Sequence, residues 1–199
     1  AIPKGRYDFF AGSNPQNPGV LFPVSDLKGL TIDGKGSELI VHGLTSVLSF
    51  NNCTRLTIRN LTIDWDRPPY SLGKVIAVEG KHFDVEIEPE YPVKGGEPVG
   101  AFMEFDPATR LPLRHGLEEY YSVEKTELLR EQVLRIHLIH DARIKPGVLV
   151  LLRHQVYGHT AIYCGRCSDV VVRDVVVNTV PGMGFVASVC TNVTLVGFT

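Results

Sequence analysis

Asp64 and Asp66 stand two residues apart at the end of the run Leu61-Thr62-Ile63-Asp64-Trp65-Asp66. On a strand, residues i and i+2 share a face. With Ile63 and Trp65 directed inward, both carboxylates then point outward. Two carboxyls held about 6.5–9.5 Å apart, with a water between them, can break a glycosidic bond by single displacement, one as acid and one as base. The plainer reading is structural: a strand end that is solvated or capped by Arg67. Lining of a cleft comes second and direct catalysis third. Trp65, the only tryptophan, is an aromatic platform only if it faces outward.

A second group, His154, Tyr157 and His159, follows an apolar run. Imidazoles and a phenol can bond hydroxyl groups, and a pair of histidines in a loop can also suit a metal. No cysteine or carboxylate ligand is clearly placed beside these two, so a structural role leads, substrate contact follows and no metal is expected. Cys164-Gly165-Arg166-Cys167 is a CxxC motif. Redox or zinc chemistry would need a helix N-terminus or a second ligand pair. The sequence offers neither, and the pair reads as packing.

The elements that must position these residues come from a repeat. Leu27-Lys28-Gly29-Leu30-Thr31-Ile32-Asp33-Gly34, Cys53-Thr54-Arg55-Leu56-Thr57-Ile58-Arg59-Asn60, Cys167-Ser168-Asp169-Val170-Val171-Val172-Arg173-Asp174 and Cys190-Thr191-Asn192-Val193-Thr194-Leu195-Val196-Gly197 share one template. Each opens on Leu or Cys, continues as an apolar–Thr/Val–apolar strand and closes on Gly, Asn or Asp, residues that tolerate a left-handed backbone. Short β runs recurring at a period in the twenties mark a solenoid. No Leu-x-x-Leu-x-Leu pattern with a following helix recurs, which disfavours a leucine-rich repeat. The expected fold is all-β: a right-handed parallel β-helix.

Cys167 follows Cys53 by far more than one coil of about 24 residues, leaving roughly 90 residues of insertion. Arg67-Pro68-Pro69 ends the preceding strand, because proline lacks a ladder donor. Beyond it, Lys74–Val78 and Phe83–Glu88 flank a turn and alternate as a β-hairpin. Three further runs, at Tyr121, Val133 and Val148, read as strands. Segment 126–132 has helical propensity, but a hairpin connection is preferred. The predicted organisation is an N-terminal segment with the first β-helix coils over 1–66, an inserted antiparallel β-barrel or sandwich over 67–155, and resumed coils over 156–199. Cys53, Cys167 and Cys190 then occupy one repeat position and should form a ladder of reduced, buried thiols, with Cys164 outside it.

Hydrophobic residues are 44% and charged residues 21% of the 199, within the globular range. No apolar run is long enough to span a membrane. The net charge of −2 shows no basic field for nucleic acid. The opening Ala1-Ile2-Pro3-Lys4-Gly5 lacks the apolar core of a signal peptide. The strand-like end at Phe198-Thr199 gives the chain the look of a fragment.

Ile32-Asp33-Gly34-Lys35-Gly36-Ser37 leading to Ile40-Val41-His42-Gly43 resembles a first-coil signature of β-helix carbohydrate enzymes. Phe22-Pro23, the run from Leu56 to Pro68, the large insertion directly after it and Val180-Pro181-Gly182-Met183-Gly184-Phe185 extend the match. Together they resemble the bacterial α-1,3-galactosidases of glycoside hydrolase family 110. That resemblance implies a β-helix interrupted by a β-barrel, an inverting, cofactor-free and metal-independent reaction on terminal α-1,3-linked galactose, and a periplasmic or secreted setting. It also implies catalytic acids on coils beyond the matched stretch, so that this chain alone releases no galactose. A non-catalytic glycan-binding or structural β-helix module is the alternative. A polysaccharide lyase ranks below both, because its basic residues and calcium ligands are not visible.

Overall fold

A computed structural model describes residues 3–12, 19–156 and 158–199, and every regular element among them is a β-strand. The chain forms two compact units, Ala1–Pro68 with Tyr157–Thr199, and Pro69–Val156.

The first unit is a parallel β-helix. It holds β1 (Arg6–Phe10), β2 (Val20–Ser25), β3 (Thr31–His42), β4 (Ser46–Asn51) and β5 (Thr54–Trp65), then β13 (His159–Gly165), β14 (Ser168–Val177), β15 (Gly182–Ser188) and β16 (Thr191–Phe198). One sheet runs β1-β3-β5-β14-β16 and the other β15-β13-β4-β2, with every pair parallel. Each coil crosses from the shorter sheet to the longer one. The corner is built by left-handed residues on either side of the repeat's first position: Asp26 and Gly29, Asn52 and Arg55, Arg166 and Asp169, Val189 and Asn192 all have positive φ. Polar side chains stack along these corners, as where Asn52 donates to Asp26 at 2.6 Å and Asn192 to Asp169 at 2.6 Å.

The predicted turn at the eighth position is present as a bend within the long strands. Asn60, Asp174 and Gly197 are left-handed there, whereas the first coil bends at Lys35 and Gly36 instead. Gly34 serves another need, since a Cβ at that position would lie 2.4 Å from the Asn60 carbonyl oxygen. Between the sheets lie Val41, Phe50, Leu56, Ile58, Ile63, Ile162, Val170 and Val172, all fully buried.

The interrupted coil resumes in register. Leu56 pairs with Val170 and Ile58 with Val172, in parallel, as the shared template requires. Hydrogen bonds from Cys53 to Cys167, Ser168 to Thr54, Thr160 to Ser46 and Trp65 to Thr179 all span 114 residues. A constant offset means that the insertion leaves the coil and returns without adding a turn of its own.

The second unit is a seven-stranded antiparallel sheet. Its strands are β6 (Tyr70–Glu79), β7 (His82–Ile87), β8 (Ala101–Phe105), β9 (Glu118–Tyr120), β10 (Val123–Arg130), β11 (Val133–Leu138) and β12 (Leu149–Arg153), in the order β10-β11-β7-β6-β12-β8-β9. Segment 126–132 is part of the β10–β11 hairpin, not a helix. Strand pairing overrides the helical propensity of Glu127-Leu128-Leu129-Arg130. Phe83, Phe102, Leu134, Ile136 and Leu152 form this unit's own core.

Candidate functional site

Alternation along β5 turns Ile63 and Trp65 inward, and Trp65 is only 5% exposed within the β-helix core. Its ring is therefore not a surface platform for a sugar. Asp64 and Asp66 share the outer face, but different neighbours hold them. The Thr179 hydroxyl donates to Asp64 Oδ1 at 2.6 Å, and the Trp65 N–H donates to the same atom at 2.8 Å. Thr179 is held at φ +46°, an unfavourable conformation for a β-branched residue. Asp64 thus fastens its coil to the one that follows the insertion.

Asp66 faces the opposite way along the sheet. Its Oδ2 lies 2.8 Å from His42 Nδ1, and His42 Nε2 lies 2.8 Å from Asp8 Oδ1. Arg6 in turn donates to Asp8 at 3.2 Å. Phe10, paired with His42 in the β1–β3 register, stacks on the imidazole at 4.6 Å and 15°. Both ring nitrogens face carboxylate oxygens, so the doubly protonated ring is the form that donates to both. The hydrogen bond to Asp8, followed by that to Asp66, raises the His42 pKa. Arg6, and then His42, lower that of Asp8.

This Arg6–Asp8–His42–Asp66 row, with Phe10 beside it, is the main ionic cluster on the outer face of the β-helix. Only Asp66 was singled out from the sequence. The available signal was His42 itself, the last residue of β3. Chemically, the row presents carboxylate acceptors and an aromatic edge, a set suited to lining a polar ligand. A general acid needs a carboxyl held protonated near neutral pH, and Asp8 is displaced the other way. Among the described residues, the carboxyls whose acidity is displaced, namely Asp8, Asp33, Asp84, Asp106 and Glu119, are displaced downward.

Other candidates fall elsewhere. Arg67 donates to the Pro68 carbonyl at 3.4 Å. His154 is buried in the antiparallel unit, with Nδ1 2.9 Å from the Pro98 carbonyl and Nε2 2.7 Å from the Ser71 hydroxyl. A carbonyl only accepts, so Nδ1 carries the proton and Nε2 accepts from Ser71. Both nitrogens are engaged within the antiparallel unit. Tyr157 lies outside the described residues. His159 is half-buried at the start of β13, and burial lowers its pKa.

The cysteine ladder is present and free of disulfides. The Cys53 N–H donates to Cys167 Sγ at 3.4 Å and the Cys167 N–H to Cys190 Sγ at 3.3 Å. Cysteine suits this position because its sulfur packs as an apolar group yet accepts the N–H of the preceding coil. Cys190 departs from expectation by being only partly buried. Cys164 is off the ladder register, opposite Phe50, yet its thiol is buried and burial pushes its pKa up to about 12. Neither cysteine of the CxxC pair is a reactive thiolate. Among the described residues no group of three or more His, Cys, Asp or Glu side chains is placed to hold a metal.

No family model matches the chain. Individual relatives do. It is 28% identical to an α-1,3-galactosidase B of Phocaeicola vulgatus over 220 residues, covering 96% of this chain and 36% of the relative. It is 27% identical to an α-1,3-galactosidase B of Bacteroides thetaiotaomicron over 223 residues, with the same coverage of both. An α-1,3-galactosidase A of Shewanella woodyi is 27% identical over 165 residues, covering 75% of this chain and 27% of the relative. The chain resembles bacterial α-1,3-galactosidases. It spans little more than a third of the length of the two α-1,3-galactosidase B relatives named here. Both units fall within the resemblance, because the matches to 96% of the chain run through the β-helix and the insertion alike.

Proposed function

We propose that this chain is the scaffold and cleft-lining portion of an inverting exo-α-1,3-galactosidase, acting on neutral glycans that end in galactose. The observation that carries this reading is the similarity to α-1,3-galactosidases over nearly the whole chain. In the proposed reaction one carboxyl protonates the glycosidic oxygen while another activates a water on the opposite face of the sugar. Both carboxyls belong to residues outside these 199. The capture of Asp64 by Thr179 and of Asp66 by His42 supports that assignment. Asp66 and His42 serve the cleft by binding hydroxyl groups.

The chain alone and a longer form carrying further coils are to be compared on nitrophenyl α-galactoside. The longer form is expected to turn over, and the chain alone to stay at the buffer rate. Turnover by the chain alone that Asp66→Asn abolishes would place the chemistry on Asp66. No turnover by either form would overturn the galactosidase reading. A non-catalytic glycan-binding module is the second reading, favoured by the engagement of Asp64 by Thr179 and of Asp66 by His42.

A further inference from the structure

The antiparallel unit carries an exposed aromatic corner at the end of its edge strand. Tyr121, just past β9, is 73% exposed and is held at φ +55°, with its N–H donating to the Gly100 carbonyl at 2.8 Å. A left-handed backbone is unfavourable for a residue with a bulky side chain. Such strain persists where the surrounding structure fixes it, and it collects at binding sites. Here it aims a large ring at solvent. Tyr120, 40% exposed, lies beside it with ring centroids 6.3 Å apart and planes tilted by 50°.

Tyr120 is fixed in place at its rim. Its hydroxyl donates to Glu118 Oε1 at 2.5 Å and accepts from Arg153 at 3.4 Å, while the Arg153 guanidinium sits 5.9 Å from the ring centroid. Ile139, 60% exposed, is tied by its N–H to the carbonyl of Ser122, the residue after Tyr121. The patch therefore combines two angled aromatic faces, a carboxylate acceptor and a guanidinium donor.

We propose that this corner is a carbohydrate-binding subsite for a neutral hexose unit, built on Tyr121 and Tyr120 with Glu118 and Arg153 at its rim. A pyranose has an apolar C–H face that stacks on an aromatic ring, and edge hydroxyls that both donate and accept. The angled rings match the face, and the carboxylate and guanidinium match the hydroxyls. Preformed aromatic groups give large contact area at low ordering cost. The near-neutral net charge of −2 creates no field that would select an acidic sugar. The proposal rests on the glycan-cleaving reading above for its ligand class. It makes the inserted unit a holder of the substrate glycan, apart from the bond-breaking step.

Native-gel affinity electrophoresis of the full chain tests it. The probe is a soluble polymer bearing galactosyl-α-1,3-galactose, with a mannosyl polymer as control. The galactosyl polymer should retard the chain, Tyr121→Ala should weaken retardation by about tenfold, a change equal to roughly 1.4 kcal/mol, and Tyr121→Phe should restore it. Circular dichroism of Tyr121→Ala confirms that the variant is folded, and Tyr120→Ala, which should weaken retardation likewise, provides a second lesion that leaves the backbone at residue 121 untouched. No retardation of the wild-type chain, or equal retardation of Tyr121→Ala, would overturn the subsite. So would concentration-dependent self-association that Tyr121→Ala abolishes without any response to sugar, since that result assigns the corner to a protein partner. Hydrolysis by the longer form is measured separately. Loss of retardation with hydrolysis intact refutes the subsite alone, and retardation without hydrolysis refutes the galactosidase reading alone.

Discussion

Replacing Cys167 by alanine should reveal the hydrogen bond hidden in the thiol ladder. The Cys167 side chain is buried, and its sulfur accepts the Cys53 N–H at 3.4 Å while its S–H lies 3.3 Å from the Gly165 carbonyl. Alanine removes the sulfur and leaves a buried N–H without a partner, which costs about 1–3 kcal/mol. Loss of the sulfur's packing adds roughly 1 kcal/mol. Together these lower Tm by roughly 5–12 °C for a domain of this size. Serine keeps an acceptor in place and should cost less than alanine, the reverse of the order expected for a purely apolar slot. Cys164→Ala supplies the control, because Cys164 is equally buried but lies off the ladder register. Trp65 is the only tryptophan and sits in the β-helix core, so its fluorescence follows this unit alone. Thermal melts of the three variants by Trp65 emission provide the assay. Equal losses for Cys167→Ala and Cys164→Ala, or an alanine variant more stable than the serine one, would refute the N–H to sulfur bond.

Native thiol labelling at pH 8 should proceed quickly at Cys190 alone, with Cys53, Cys164 and Cys167 reacting only in denaturant; fast reaction at Cys53 or Cys167 would contradict the ladder's burial. The His42 bridge should stabilise the attachment of β1 fully below the ordinary histidine value of 6.5 and lose that contribution as pH rises through the raised one. The Asp8 contribution has the opposite sense: it is present above the ordinary carboxyl value of 3.8 and is lost as pH falls through the lowered one. β1 is therefore held most firmly between those two limits. An NMR titration of the His42 ring should find its midpoint above 6.5, moving down in Asp8→Asn, and a midpoint at or below 6.5 in the wild type would refute the two-carboxylate bridge.

The coil architecture was legible because it is written in a local template. Eight-residue segments repeat the order of corner, strand and bend, and that order alone set Leu56 against Val170 and three cysteines on one line. The inward turn of Trp65 also followed from alternation with Ile63. The ionic row was not legible, because its members come from three separate strands. His42 meets Asp8 across 34 residues and Asp66 across 24, distances that no local pattern connects. β1 itself was missed: Arg6-Tyr7-Asp8-Phe9-Phe10 is short and lies outside the template, and it is a strand because β3 offers it an edge. Asp64 had a hidden partner of another kind. Adding the 114-residue offset to Trp65 leads to Thr179, so this lock becomes readable once the register across the insertion is known. His154 stayed between a structural and a binding role for a different reason. A histidine after an apolar strand gives no sign of whether its nitrogens meet Ser71 and Pro98 in a core or a ligand at a surface.

The most direct test of the functional account is the anomeric form of the sugar first released. A longer form of this protein carrying the further coils, incubated with the methyl β-glycoside of galactosyl-α-1,3-galactose, whose leaving group is methyl galactoside and not free galactose, and followed by proton NMR in the first minutes, should release β-galactose before mutarotation produces the α form. Galactose appearing first as the α-anomer, or no galactose at all, would contradict an inverting galactosidase built on this β-helix.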